Sequence, residues 1–244
     1  MGWNVENDEF FFEIFFEEKV ATRRTILSTV ASIYDPLGFL APVILKAKEL
    51  LQELCRRKLG WDEPIPEDLR PRWETWIRDL QNLKEVQIPR RFVPHDFGEY
   101  KRIELHHFSD TSSYGYGQCS YIRVIGEGKI HCALVMGKTR VAPTSIQIIP
   151  RLELTAAVVS ASVSKFLREE LELKIDEEYF WTDSQVVLGY INNEARRFHI
   201  FVANRVQKIR EITNPEHWHH VDTKHNLTDH ASKGLNVTEL KNSN

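Results

Sequence analysis

Cysteine is scarce here and carries no pairing pattern. The 244 residues hold three, Cys55, Cys119 and Cys132. The number is odd and no Cys-x-x-Cys occurs, which argues against a disulfide framework and against a cysteine-ligated zinc finger; reduced thiols in an intracellular protein are expected. Long apolar runs are also missing. No stretch approaches the roughly 18–20 residues that a membrane-spanning helix needs, so no membrane partner is expected. Excess positive charge is absent too: 32 Lys and Arg against 35 Asp and Glu leave a net charge of −3. That argues against a broad basic surface for nucleic acid. Residues 1–10, MGWNVENDEF, lack a signal-peptide layout, and Glu6 stands where a myristoylation signal needs Ser or Thr. No internal repeat or low-complexity tract is visible. Two Asn-x-Thr sequons, at Asn226 and Asn236, are taken as chance matches.

What the chain does contain is enough apolar material for a core. Hydrophobic residues make up 42% of it, and the length suits one large domain or two smaller ones. Basic residues come in short clusters: Arg23-Arg24, Arg56-Arg57-Lys58, Arg90-Arg91, Lys138 with Arg140, and Arg196-Arg197. Each could grip a phosphate backbone or simply face solvent.

The pattern divides the chain near residue 100. EFFFEIFF at 9–16 reads as a dense aromatic strand that needs cover on both faces. Helical periodicity follows. Residues 25–33 stop at the breaker Asp35-Pro36-Leu37-Gly38, and a helix at 42–59 carries Leu45, Leu50, Leu51 and Leu54 on one face. Another, at 67–83, carries Leu69, Trp73, Trp76, Ile77 and Leu80. Beyond 100, strands are expected at 102–110, 115–126 and 129–139, forming an antiparallel meander. A long helix at 151–171 comes next, then a short buried strand at 177–184. Helices at 184–193 and 201–212, a strand at 217–222 and a final helix at 227–233 complete the order. Three meandering strands followed by crossovers predict an α/β fold: a mixed five-stranded sheet with helices on both faces.

Four carboxylates fall at informative places in that layout. Asp110 is expected to end the first strand of the meander, Glu153 to sit in the first turn of the long helix, Asp183 to end the fourth strand, and Asp229 to begin the last helix. Strand ends and helix starts collect at one rim of such a sheet. Four acids there repel one another unless cations bind. Hard oxygen donors suit two Mg²⁺ or Mn²⁺ ions, which can activate water and stabilise the leaving oxygen of a phosphodiester. Taken singly, each acid could equally be a helix cap or turn residue.

Each acid also sits in a local phrase. FSDTSSYGYG at 108–117 resembles the first ribonuclease H motif. RLELTAA at 151–157 resembles that family's Glu-bearing helix, WTDSQVVL at 181–188 its strand-end Asp-Ser motif, and NLTDHASKG at 226–234 the closing motif of retroelement ribonucleases H. TRRTILSTVASIYDPLGFLAPV at 22–43, WDEPIP at 61–66 and IPR at 88–90 extend the likeness. They resemble the segment joining reverse transcriptase to ribonuclease H in BEL/Pao retrotransposon Pol polyproteins. The closing motif departs from that group's pattern at Leu227, Thr228 and Lys233.

The resemblance implies a ribonuclease H-like domain at 100–235, after a mostly helical connection segment at 22–99. It further implies that residues 1–21 trail a missing reverse transcriptase region and that 236–244 are a tail. No Tyr-x-Asp-Asp polymerase motif is present. The expected activity is metal-dependent cleavage of RNA in RNA–DNA hybrids. Asp110, Glu153, Asp183 and Asp229 would hold the ions, and His225 would assist water or product movement. The expected partner is the reverse transcriptase portion of the same polyprotein, in the cytoplasm or in virus-like particles. A catalytically silent remnant that only binds nucleic acid or assembles is the alternative.

Other enzyme classes fit less well. An aspartic protease needs a glycine after each Asp-Thr/Ser, where Ser112 and Gln185 stand. The histidines at 217, 219, 220, 225 and 230 lack a Cys-x-x-Cys partner for zinc. An integrase core would want a different final acid and an upstream zinc domain.

Overall fold

A computed structural model describes residues 1–14, 19–144, 148–193 and 197–242. The chain forms two compact units, Met1–Arg91 with Gly234–Asn244, and Phe92–Lys233.

The first unit begins with two short strands, β1 (Gly2–Asn4) and β2 (Glu9–Phe11). Three helices follow, α1 (Arg23–Ser32), α2 (Ala41–Arg56) and α3 (Arg70–Leu80), and then strand β3 (Gln87–Pro89). The breaker between α1 and α2 is a built turn. The Asp35 carboxylate accepts from the backbone N–H of Phe39 at 3.0 Å and of Leu40 at 2.8 Å, and Gly38 takes a left-handed φ of 74° that favours glycine. Pro42 then sits at the second position of α2, where its missing N–H costs nothing. Trp73 and Trp76 stack 5.2 Å apart on the inner face of α3, and Trp76 Nε1 donates to the Val43 carbonyl at 2.9 Å.

The aromatic strand differs from expectation. It is not an uncovered edge: β2 lies between β1 and β3 in a three-stranded antiparallel sheet. Phe12 is buried and Phe10 packs 6.3 Å from Phe39. Neighbouring strands of the same chain pair with both of its edges, while Glu9, Phe10 and Phe11 stay half-buried. Phe15 and Phe16 lie outside the described residues.

The second unit opens with β4 (Tyr100–Thr111), β5 (Gly115–Gly126) and β6 (Ile130–Val141), followed by α4 (Ile149–Glu170) and β7 (Glu177–Thr182). Then come α5 (Gln185–Asn192), α6 (Ile200–Ile212), β8 (Trp218–His220) and α7 (Asp229–Lys233). The sheet order is β6-β5-β4-β7-β8, with β4 antiparallel to β5 and parallel to β7. This is the expected mixed five-stranded ribonuclease H-like sheet. Leu154, Ala157 and Ala161 of α4 pack with Val187, Ile191, Val206 and Ile209 over Phe180 and Trp218. The small residues of α4 let it lie close to the strands.

Side chains alternate across a strand, and β5 shows both faces covered. Tyr116 packs with Leu152 and Ala156 of α4, whereas a Cβ on the neighbouring Gly117 would point at Ala231 of α7 and come within 2.7 Å of the Lys138 carbonyl. Glycine at 117 therefore permits α7 to close onto the second face.

Residues 236–242, expected as a tail, are ordered as a helix with its caps. Asn236 caps a further helix, α8 (Val237–Lys241), through a reciprocal capping box with Glu239. The Val237 N–H donates to Asp79 at 2.5 Å, which returns α8 to the first unit. Asp229 consequently begins the penultimate helix rather than the last.

Candidate active site

The register of two parallel strands brings the first two acids together. Ser109 of β4 aligns with Thr182 of β7, so the next residues, Asp110 and Asp183, emerge side by side. Asp110 lies within β4, one residue before its end, and Asp183 directly follows β7.

Each acid has its own support. Asp110 is 6% exposed and accepts a hydrogen bond from the Ser232 hydroxyl of α7. Asp183 accepts from Thr223 Oγ1 at 2.8 Å. Glu153 accepts from Ser184 Oγ at 2.6 Å, and the same serine caps α5 by accepting from the Val187 N–H at 3.2 Å. The cap of α5 is thus Ser184, not an acid. Asp229 pairs with Lys233 Nζ at 2.6 Å, one turn along α7. Asn226 pins the loop that precedes Asp229, donating to the Ser109 carbonyl at 3.0 Å.

Electrostatics tie the four into one cluster. Burial pushes the Asp110 carboxyl up to about 6, and the charges of Asp183 and Asp229 push it the same way against the pull of Ser232. Burial also raises Glu153, opposed by the Ser184 hydroxyl and reinforced by Asp183. Lys233 is raised chiefly by its bond to Asp229, with Asp110 and Asp183 adding to the effect. Among the described residues Lys233 is the one cation ion-paired with these four acids, so their anionic charge is undercompensated.

One sequence expectation is corrected. α4 starts at Ile149, two residues early, because Pro150 is accommodated at its second position. Glu153 therefore lies just past the first turn, and the reading of it as a dipole-stabilised first-turn acid falls away. The side chain of His225 is 77% exposed, and its ring nitrogen stands 4.0 Å from Asp222.

The supporting hydroxyls were not anticipated. Ser184 and Ser232 lie inside the two motifs that also hold Asp183 and Asp229, so their proximity was available as a signal. Thr223, 40 residues from Asp183, left none. The donor set is all oxygen and suits a hard divalent cation. Here hydroxyls and Lys233 hold the carboxylates, and among the described residues no three Asp, Glu, His or Cys side chains form a ready-made metal-holding group.

Comparison with known families decides the kinship. The Pao retrotransposon-like RNaseH-like domain matches residues 22–184. The chain belongs to that family. The match takes in the helical segment from Thr22 onward as well as Asp110, Glu153 and Asp183, while Asp229 and His225 lie beyond it. A comparison with curated proteins found no match. Among solved structures, this Pao-type chain is similar to RNase H1 from the halophilic archaeon Halobacterium salinarum NRC-1, at 12% identity and a TM-score of 0.34, covering 52% of this chain and 89% of that one. It is similar to the N-terminal RNase H domain of a Mycobacterium tuberculosis protein at 8% identity and a TM-score of 0.35, covering 58% and 95%. The protease–reverse transcriptase of prototype foamy virus gives 11% identity and a TM-score of 0.34, covering 85% of this chain and 35% of that one.

Proposed function

We propose that this chain is a divalent-metal-dependent ribonuclease H that cleaves the RNA strand of RNA–DNA hybrids, within a retrotransposon Pol polyprotein during reverse transcription. The observation that carries the reading is the undercompensated acid cluster: four carboxylates delivered by β4, α4, the end of β7 and α7 to one rim. Asp110, Glu153, Asp183 and Asp229 would hold two Mg²⁺ or Mn²⁺ ions. When bound, such ions supply a nucleophilic water and stabilise the leaving oxygen of the phosphodiester. Ser184, Thr223 and Ser232 orient the carboxylates they touch, and Asn226 holds the loop in place. His225, exposed in the turn that also carries Thr223, would assist water or product movement. The partner is the reverse transcriptase portion of the same polyprotein, in the cytoplasm or in virus-like particles. No helix among the described residues is long and apolar enough to cross a membrane.

A second reading has one observation in its favour. Lys233 already neutralises Asp229, which suits a silent remnant that binds nucleic acid without cutting it. Titrating Mg²⁺ and Mn²⁺ against a hybrid with a labelled RNA strand separates the two. Metal-dependent internal cleavage, lost in Asp183→Asn, is expected. Hybrid binding with no cleavage at any metal concentration would favour the remnant.

A further inference from the structure

The basic doublets legible in the sequence are largely neutralised in the structure. Arg24 pairs with Asp62 at 2.7 Å, Arg57 with Glu53 at 2.9 Å and Asp68 at 2.8 Å, and Arg90 with Asp8 at 2.6 Å. Arg196 lies outside the described residues. The closing motif offers more. Thr228, one of its departures from the retroelement pattern, stands directly before Asp229 and is fully buried.

The helix that Thr228 leads into, α7, is five residues long. So short a helix does not hold itself, and its place depends on what grips it. Apolar burial contributes little: its buried residues are Ala231 and Ser232. Polar contacts to β5 and to the turn after β4 supply the rest. At the start of the helix, Thr228 Oγ1 lies 3.0 Å from the Sγ of Cys119 on β5. At its end, Ser112 Oγ, in the turn between β4 and β5, donates to the Ser232 carbonyl at 2.6 Å. Ser112 is itself fixed, accepting from the N–H groups of Tyr114 at 3.1 Å and Gly115 at 3.2 Å.

Both attachments lie one step from a rim acid. Thr228 precedes Asp229, and Ser112 holds the residue whose hydroxyl bonds Asp110. Burial pushes the Cys119 thiol up to about 12, so it stays a neutral thiol with no nucleophilic role. A satisfied buried network of this kind fixes direction as well as distance, which the packing of one alanine would not.

We propose that Ser112 and the Cys119–Thr228 pair are positioning residues, a latch that seats α7 and so sets Asp229 against Asp110 for a divalent cation. The inference rests on the nuclease reading for the identity of that ligand. It also gives the departure at Thr228 a use: its hydroxyl meets the thiol beneath the rim.

Mn²⁺ binding by the full chain, read from the electron paramagnetic resonance of the free ion, tests the latch without cleavage. Thr228→Val keeps the shape and removes the hydroxyl, and Ser112→Ala cuts the other attachment. Each should weaken Mn²⁺ binding about tenfold, as loss of the groups that orient metal ligands does. Thr228→Ser, which keeps the hydroxyl, should restore most of the affinity. Ser164→Ala is the control. It removes a buried hydroxyl on α4 that bonds Glu178 at 2.6 Å, and it should lower the melting temperature while leaving Mn²⁺ affinity at the wild-type level. Wild-type affinity in Thr228→Val and Ser112→Ala, even at a lowered melting temperature, would overturn the latch whether or not the wild type cleaves. Equal weakening by Ser164→Ala would also overturn it, as a general loss of stability. If Thr228→Val does not fold, Ser112→Ala, at a half-buried turn, decides alone. Weakened Mn²⁺ binding in these variants, with a wild type that cleaves no hybrid, would support the latch and sink the nuclease assignment. A wild type that binds no Mn²⁺ would overturn both.

Discussion

The two ends of β4 treat buried carboxylates in opposite ways. Near its start, Glu104 is almost fully buried, and burial alone would raise its pKa. Hydrogen bonds from His106 and Arg123, with the charge of Arg102, more than offset that and hold it below the usual range. Glu178, on the adjoining strand, is likewise held low despite burial, by His107 at 3.0 Å and Ser164 at 2.6 Å, with Arg168 nearby. At the other end, Asp110 receives the Ser232 hydroxyl and the Thr111 backbone N–H, Glu153 receives one hydroxyl, and both stay raised. This fold can pair a buried acid thoroughly, and at the rim it does not. Uncompensated charge is tolerated where a ligand is expected to complete it.

The largest effect that would test the contrast is on cleavage. Asp110→Asn or Asp183→Asn should reduce hybrid cleavage to background in a gel assay while leaving the circular dichroism spectrum unchanged. A variant at Asp183 as active as wild type would break the functional half of the comparison.

Next in size is the cost of disturbing the satisfied end. His107 is fully buried between Glu178 and Ser120, whose Oγ lies 2.7 Å from its Nδ1. His107→Ala strands Glu178 and should cost about 3–5 kcal/mol in denaturant titration. Phe12→Ala should cost a similar amount, about 3 kcal/mol, because that ring belongs to the core of the first unit. Unchanged stability there would show that the ring adds nothing to that core.

The two ends should also titrate with opposite sign. Glu178 is held low, so its contribution is present above its unfolded pKa and lost as pH falls. Burial lowers the pKa of His107 despite the opposing pull of Glu178. The unfolded chain therefore takes up that proton first as pH falls below about 6.5, and stability again drops. Asp110 runs the other way. Its pKa is raised to about 6, so its contribution is present below the unfolded value and lost as pH rises through about 6. In EDTA, Asp110→Asn should be more stable than wild type at pH 7 by up to about 3 kcal/mol, and the difference should vanish near pH 4. Parallel slopes for the two proteins would show that the rim is not strained.

The smallest effect is that of metal on the wild type. Magnesium at about tenfold over its Kd should raise Tm by a few degrees, about 1.4 kcal/mol, with the shift lost in Asp183→Asn. A melting temperature indifferent to millimolar Mg²⁺ would sharpen the case for a silent rim.

Much of the second unit was legible because its elements are long and strongly patterned. The three meander strands and α4 fall within a few residues of their expected bounds, and the acids were found through their local phrases. Boundaries set by a single residue were not legible. Pro150 starts α4 early and moves Glu153 out of the first turn, and the capping box at Asn236 makes a helix of an expected tail. The aromatic strand was misjudged because its partners, β1 and β3, are three residues each, too short to carry a period.

By itself, the sequence determined the elements and the chemistry they carry: strand and helix periods are local, and each acid's residue type and motif are written along the chain. Only the tertiary structure decided which groups answer one another. The parallel register of β4 and β7 sets Asp110 beside Asp183, Gly117 admits α7 so that Ser232 reaches Asp110, and Phe201 gathers Arg151 and Arg205. The reason is physical. Pairing energies depend on distances in space between residues tens of positions apart, and no local pattern encodes whether a charge will meet its opposite, a hydroxyl, or another charge like itself.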